Sequence, residues 1–102
     1  MTNTASQPDT SARDLMNIMG NEHRLHILTL LHKGEHNVGQ LCGEVGLSQS
    51  ALSQHLTRMR KLRIVTTRRE GPTIFYSLSS AQVSAIIETL DAICTPALTA
   101  AA

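Results

Sequence analysis

The stretch from Val45 to Leu62 constrains the fold more than any other part of the chain. Gly46 interrupts one helical pattern, and Ser48 is placed to cap the next by accepting a first-turn N–H through its hydroxyl. Beyond that cap Leu52, Leu56, Met59 and Leu62 recur at spacings of four, three and three, which aligns them on one helix face. The opposite face carries Gln49, Ser50, Ser53, Gln54 and Thr57, all short, uncharged hydrogen-bonding groups. A solvated helix face usually carries Glu and Lys; Ser and Thr sacrifice helix propensity, which points to something they touch. Side chains of this kind reach base edges and phosphates in a DNA major groove. An ordinary polar surface is the competing reading.

The segment before it completes a motif. Asn37 and Gln40 form an N-x-x-Q cap ahead of Val38, Leu41, Cys42 and Val45, so a second short helix ends at Gly46. Two short helices joined by the break from Gly46 to Gln49 predict a helix-turn-helix. After Leu62 the period changes to that of strands. Ile64 to Arg69 and Thr73 to Leu78 are rich in β-branched and aromatic residues, with Glu70-Gly71-Pro72 between them, which predicts a β-hairpin wing.

The flanks read as helices. Ser11 with Asp14 opens a short one bearing Leu15, Ile18 and Met19, stopped by Gly20. Asn21 caps the next, in which Leu25, Ile27, Leu28, Leu30 and Leu31 are too apolar for a surface element, and Gly34 ends it. Ser79 with Gln82 is the expected cap of a last helix, whose stripe is Val83, Ile86, Ile87, Leu90, Ile93 and Cys94 up to Pro96. The fold class is therefore mainly α with a β-hairpin wing, a winged helix-turn-helix. The expected domain spans residues 11–95, between a disordered start, 1–10, and a flexible tail, 96–102.

A domain of this size gains core by pairing. The stripes on the first and last helices predict a homodimer interface of Leu15, Ile18, Met19, Val83, Ile86, Ile87, Leu90 and Ile93. A two-fold dimer places two recognition helices one DNA turn, ~34 Å, apart and reads an inverted repeat.

Charge supports the same partner. The formal net charge is only +1, yet six of the nine Lys/Arg lie between Glu44 and Glu70, with no acid among them: Arg58, Arg60, Lys61, Arg63, Arg68 and Arg69. Double-stranded DNA is the expected partner, with Arg58, Arg68 and Arg69 on phosphates or the flanking minor groove and Ser48 at the helix start beside the polar face. For Arg68 and Arg69 a charged hairpin edge that guards against aggregation is the alternative. No apolar run reaches the ~18 residues of a membrane span, and the polar start lacks a signal-peptide pattern. The expected location is the cytoplasm, where Cys42 and Cys94 are packing residues or sensor thiols rather than a structural disulfide.

The phrases from Asn21 to Leu28, from Leu47 to Leu56 and from Thr73 to Leu78 resemble the ArsR/SmtB family of bacterial winged-helix repressors over residues 12–95, most closely its HlyU/BigR/NolR-like subgroup. The resemblance implies a homodimeric repressor that often senses metal, persulfide or oxidant. The family's thiolate metal site needs a Cys-x-Cys pair where this chain has Asn37 and Gly39, and its other site needs last-helix histidines where this chain has Glu88 and Asp91. The resemblance therefore implies no metal site and no cofactor. Persulfide sensors of the subgroup pair a second-helix cysteine with one late in the last helix. Cys94 matches the latter, Thr29 stands at the former, and Cys42 lies on a different helix.

Other readings stay open at this point. His23, His26, His32 and His36 fall within fourteen residues but lack a fourth converging ligand. His55 is expected to pack or face a phosphate. A metal-responsive or effector-independent repressor is the alternative within the class. Outside it stands a winged-helix dimerisation or protein-interaction module, which has no need of six uncompensated cations. An enzyme lacks its parts: no phosphate loop, nucleophile constellation or paired carboxylates.

Overall fold

The computed structural model describes residues 10–94. The expected disorder of residues 1–9, the stop at Pro96 and the flexible tail lie outside the described residues. Eight elements follow in order: α1 (Ala12–Met19), α2 (Glu22–Lys33), β1 (His36–Asn37), α3 (Val38–Val45), α4 (Gln49–Lys61), β2 (Val65–Glu70), β3 (Thr73–Leu78) and α5 (Ala81–Ile93). The winged helix-turn-helix is present, with a sheet of order β1-β3-β2, antiparallel throughout.

Side chains start the helices where local chemistry requires. Ser11 accepts from the Asp14 N–H, Asn21 from Arg24 and Ser48 from Ala51. Asn37 and Gln40 form a reciprocal capping box, both bonds 2.8 Å. The expected cap at Ser79 is wrong by one residue: Ser80 accepts from the Val83 N–H at 3.1 Å. Ser79 is engaged elsewhere, its N–H donating to Ile64 O and its hydroxyl to Arg63 O, both 2.9 Å. These bonds tie the end of β3 to the turn after α4, so capping falls to the next serine. Gln82 then exchanges two hydrogen bonds with the backbone of Thr10, at 2.9 and 3.0 Å. Thr10, expected within the disordered start, is thus held against α5.

The hairpin also differs at its edges. Ile64 is not a strand residue; it is fully buried below β2 and its N–H reaches back to Met59 O. Glu70 pairs with Thr73, which leaves a connection of Gly71 and Pro72 alone. Gly71 has φ +61°, the positive value at the first position that suits the twist of a two-residue hairpin loop. The strand β1 was not expected. It pairs His36 with Tyr76 and Asn37 with Phe75.

The core surrounds α2. Ile27, Leu28, Thr29, Leu30 and Leu31 are all buried, so α2 needs cover on several sides. Part of that cover comes from α1 and α5, which both contact α2. This narrows the expected dimer face. Leu15, Ile18, Met19, Val83 and Ile87 are buried inside the single chain and belong to its own core. Of that set only Ile86 and Leu90, half-buried, and Ile93, 70% exposed, retain surface for a partner. Met16, which was not in the set, is 72% exposed on α1. No helix among the described residues is long and apolar enough to cross a membrane.

Candidate nucleic-acid interface

Helix α4 is placed from both sides. Gly46, with φ +78°, ends α3 in the left-handed region and donates its N–H to Cys42 O. Leu52, Leu56 and Met59 are buried to 1% exposure or less, and Leu62 is half-buried. With one face fixed in the core, the geometry of the helix presents the other. Gln49, Ser50, Ser53, Gln54 and Thr57 are all exposed, together with the capping Ser48. None of those five side chains has a hydrogen-bond partner among the described residues. The contrast with Gln40 and Gln82 is informative, because both of those amides are engaged by backbone. The first turn of α4 carries no acid that would repel a phosphate.

The cations divide by partner. Arg58 donates to Asn17 Oδ1 at 2.6 Å, which joins α4 to α1. Arg68 donates to both oxygens of Glu35, at 2.7 and 2.9 Å, has Glu70 at 3.5 Å, and lies 4.6 Å above the Phe75 ring. The hydrogen bond to Arg68 holds the Glu35 carboxyl below its ordinary pKa, and the same bond raises that of Arg68. Arg58 and Arg68, expected on phosphates, are thus engaged within the fold: one clips α4 to α1, the other clips the hairpin to the loop before β1. Arg69 is exposed with no carboxylate within salt-bridge range among the described residues, and so are Arg60, Lys61 and Arg63. Arg60 and Lys61 were not among the expected contacts. They stand three and four positions beyond Thr57, the spacing that continues one helix face, and that signal was available in the sequence.

His55 belongs to a junction beneath the helix. Its Nδ1 lies 3.5 Å from Arg24 Nη1, and its ring centroid 6.0 Å from that of His23. Arg24 also donates to Ile18 O and Asn17 O, both at 2.9 Å. Burial, then the charges of Arg24, His23 and Arg58, push the His55 pKa down. His55 thus packs at the junction with Arg24 and His23.

Of the remaining histidines, His32 lies 3.2 Å from Glu88 and His36 lies 2.8 Å from the carbonyl of Gly34. No group of three or more His, Cys, Asp or Glu among the described residues is arranged to hold a metal ion. Cys42 is half-buried against the core and Cys94 is exposed at the end of α5, both free thiols. Thr29, at the position of the subgroup's other sensor cysteine, is buried and donates to Leu25 O at 2.8 Å.

A family described as bacterial regulatory protein, arsR family, matches residues 21–67, which span α2 through the start of β2. The transcriptional activator HlyU of Vibrio cholerae is 51% identical over 76 residues, covering 74% of this chain and 70% of that protein. This chain belongs to the arsR family. The nodulation protein NolR of Rhizobium meliloti is 49% identical over 79 residues, 78% of this chain and 65% of that protein. Among solved structures, BigR of Xylella fastidiosa superposes with a TM-score of 0.78 at 33% identity, over 83% of this chain and 87% of that one. The chain is thus a DNA-binding transcriptional regulator of the winged-helix type, in a family of regulators and not of enzymes, with HlyU, NolR and BigR as relatives.

Proposed function

We propose that this arsR-family chain is a cytoplasmic homodimeric repressor that covers a promoter by binding an inverted-repeat operator. The observation that carries the reading is the unpartnered polar face of α4, from Gln49 to Thr57, held outward by a fully buried opposite face. Gln54 reads a base edge, and Ser48, Gln49, Ser50, Ser53 and Thr57 read or position on the groove. Ile86, Leu90 and Ile93, with Met16, form the surface for a second copy. BigR is called a transcriptional repressor, which supports the sign chosen here. HlyU is called an activator, so positive regulation is the second reading.

The signal acts on a thiol. Cys94 is exposed and adjoins Ile93 on the proposed dimer surface, so its modification alters how two subunits meet. Its thiolate attacks a sulfane sulfur of polysulfide, giving a persulfide and a shorter polysulfide. One of the HlyU structures from Vibrio cholerae is of the reduced protein, so a redox state has been distinguished in that relative. Zn and Ni have no effect in this reading.

The test selects operators from randomised duplexes and measures binding by wild type, Gln54→Ala, Cys94→Ser and Cys42→Ser, with and without polysulfide. The expected site is an inverted repeat with half-sites one helical turn apart. Gln54→Ala should lose ~1–3 kcal/mol of specific affinity, and Cys94→Ser should remain on DNA in polysulfide. Selection of no sequence would end the operator reading; equal release of wild type and Cys94→Ser would end the thiol one. A reporter driven by the selected promoter decides the sign, since deletion of a repressor raises expression.

A further inference from the structure

Two of the cations that carry no acid, Arg60 and Lys61, meet at one place. A cleft of about 310 Å³ opens between the C-terminal end of α4 and the hairpin, lined by Thr57, Arg60, Lys61 and Tyr76. Thr57 closes the polar face, and Arg60 and Lys61 continue it by one turn, so uncharged readers give way to two positive charges along a single line. Across the cleft Tyr76 projects from β3. Its hydroxyl has no hydrogen-bond partner among the described residues, although its ring packs against the core.

Strand alternation decides which wing arginine joins them. Thr67 pairs with Tyr76 and Arg69 with Ile74, two positions on, so Arg69 and Tyr76 share a hairpin face. Arg68 pairs with Phe75 on the opposite face, where Glu35, Glu70 and the Phe75 ring engage it. The sheet thus separates two adjacent arginines into a clip and an unpaired charge.

We infer that this cleft seats a phosphodiester of the DNA backbone, held by Arg60 and Lys61 with hydrogen bonds from Tyr76 and Thr57, and that Arg69 continues the contact along the wing. Arg58 and Arg68 position α4 and the hairpin around the seat and touch no phosphate. The inference rests on the DNA-binding reading above. It adds that the sequence-independent part of the affinity enters at the C-terminal end of α4, while base readout lies toward its N-terminal end.

The experiment follows binding of a mixed-sequence duplex of about 30 base pairs by fluorescence anisotropy, between about 50 and about 200 mM salt. The proteins are wild type, the double variant Arg60→Ala/Lys61→Ala, Tyr76→Phe, Arg69→Ala, Arg58→Gln and Arg68→Gln, each first checked by thermal melting. The double variant, which empties the one phosphate seat, should flatten the log K against log salt slope by about one unit per subunit, and Arg69→Ala by about one. Tyr76→Phe keeps the ring and should weaken binding severalfold at unchanged slope. Arg58→Gln and Arg68→Gln should keep the slope. A double variant with the wild-type slope overturns the seat and leaves DNA binding standing; a wild type that binds neither this duplex nor any selected operator overturns the parent reading instead. A second arm melts wild type and double variant in inorganic phosphate and in chloride at matched ionic strength. Stabilisation of wild type alone, together with an unchanged DNA slope, would mark a free-anion site and refute the inference.

Discussion

Arg24, on α2, offers the sharpest test of how the end of α1 is held to the core. Its Nε–H and Nη2–H donate to Ile18 O and Asn17 O at 2.9 Å each, in the last turn of α1. Carbonyls there lack intrahelical donors, and Gly20 supplies only the one for Met16 O. The remaining nitrogen, Nη1, stands 3.5 Å from His55 Nδ1, at the outer limit of a hydrogen bond. A charged donor gives about 1.5–3 kcal/mol per hydrogen bond in a protected setting. The Arg24 side chain is only half-buried, so water replaces part of each bond, and about 1 kcal/mol apiece is the expectation. Arg24→Ala should therefore destabilise the protein by about 2 kcal/mol, or roughly 8–15 °C in melting temperature.

Arg24→Lys separates geometry from charge. An ammonium cannot hold two carbonyls in a fixed fork, so it should recover about half of the loss. A double-mutant cycle with His55→Ala should give a coupling below about 0.5 kcal/mol, because the 3.5 Å contact is weak. The assay is urea unfolding followed by circular dichroism at about pH 7.5, a unit above the ordinary histidine pKa, with protein concentration fixed because pairing shifts apparent stability. Arg24→Lys as stable as wild type would refute the fork. A coupling above about 1 kcal/mol would show that His55, not α1, is the principal partner.

Four further outcomes are expected. Gly46→Ala should cost about 1–2 kcal/mol, measured by the same unfolding, since φ is +78° and no neighbour obstructs a Cβ, leaving conformation as the whole cost. The lowered pKa of His55 means that the unfolded chain binds more protons, so stability should fall as pH drops below about 6.5, and His55→Asn should flatten that fall in thermal melts. Glu35, also lowered, contributes above the ordinary carboxylate pKa and loses its contribution as pH falls through its depressed value, so Glu35→Gln should lessen the acid limb and loosen the hairpin in hydrogen exchange. Ile93→Lys should dissociate a dimer in analytical ultracentrifugation while the monomer keeps its helical spectrum, whereas Val83→Lys, at a fully buried position, should unfold the chain.

What was legible in the sequence was local. Ser11, Asn21, Asn37 and Ser48 cap at three-residue range, and the two faces of α4 follow from one period, so neither needed the rest of the fold. Ser79 was misread because its partners, the carbonyls of Arg63 and Ile64, are brought to it by the hairpin. β1, two residues long, carries no alternation to detect. The arginines show the same boundary. That Arg68 and Arg69 diverge follows from the pleat, but which of them meets an acid depends on Glu35, 33 residues away from Arg68. Arg58 is separated from Arg60 and Lys61 by Asn17, 41 residues earlier in the chain.

The dimer face shows how two correct observations combined into too broad an expectation. The sequence marks α2 as too apolar for a surface element, and it marks apolar stripes on α1 and α5. Assigning both stripes to a second subunit left α2 insufficiently covered, because five consecutive buried residues cannot be shielded by α3 and β3 alone. The structure meets that need with Leu15, Ile18, Met19, Val83 and Ile87 of the same chain. A stripe on a short helix has room for little else, so the surface for a partner must come from apolar residues beside it. Met16 and Ile93, 72% and 70% exposed, are the large hydrophobics that meet this condition among the described residues. Both lie on helices that contact α2, and α1 is also joined to α4 through Asn17 and Arg58. In the proposed dimer, a change in how two copies meet at Met16 would reach α4 through the neighbouring Asn17 and its bond from Arg58, without passing through the core.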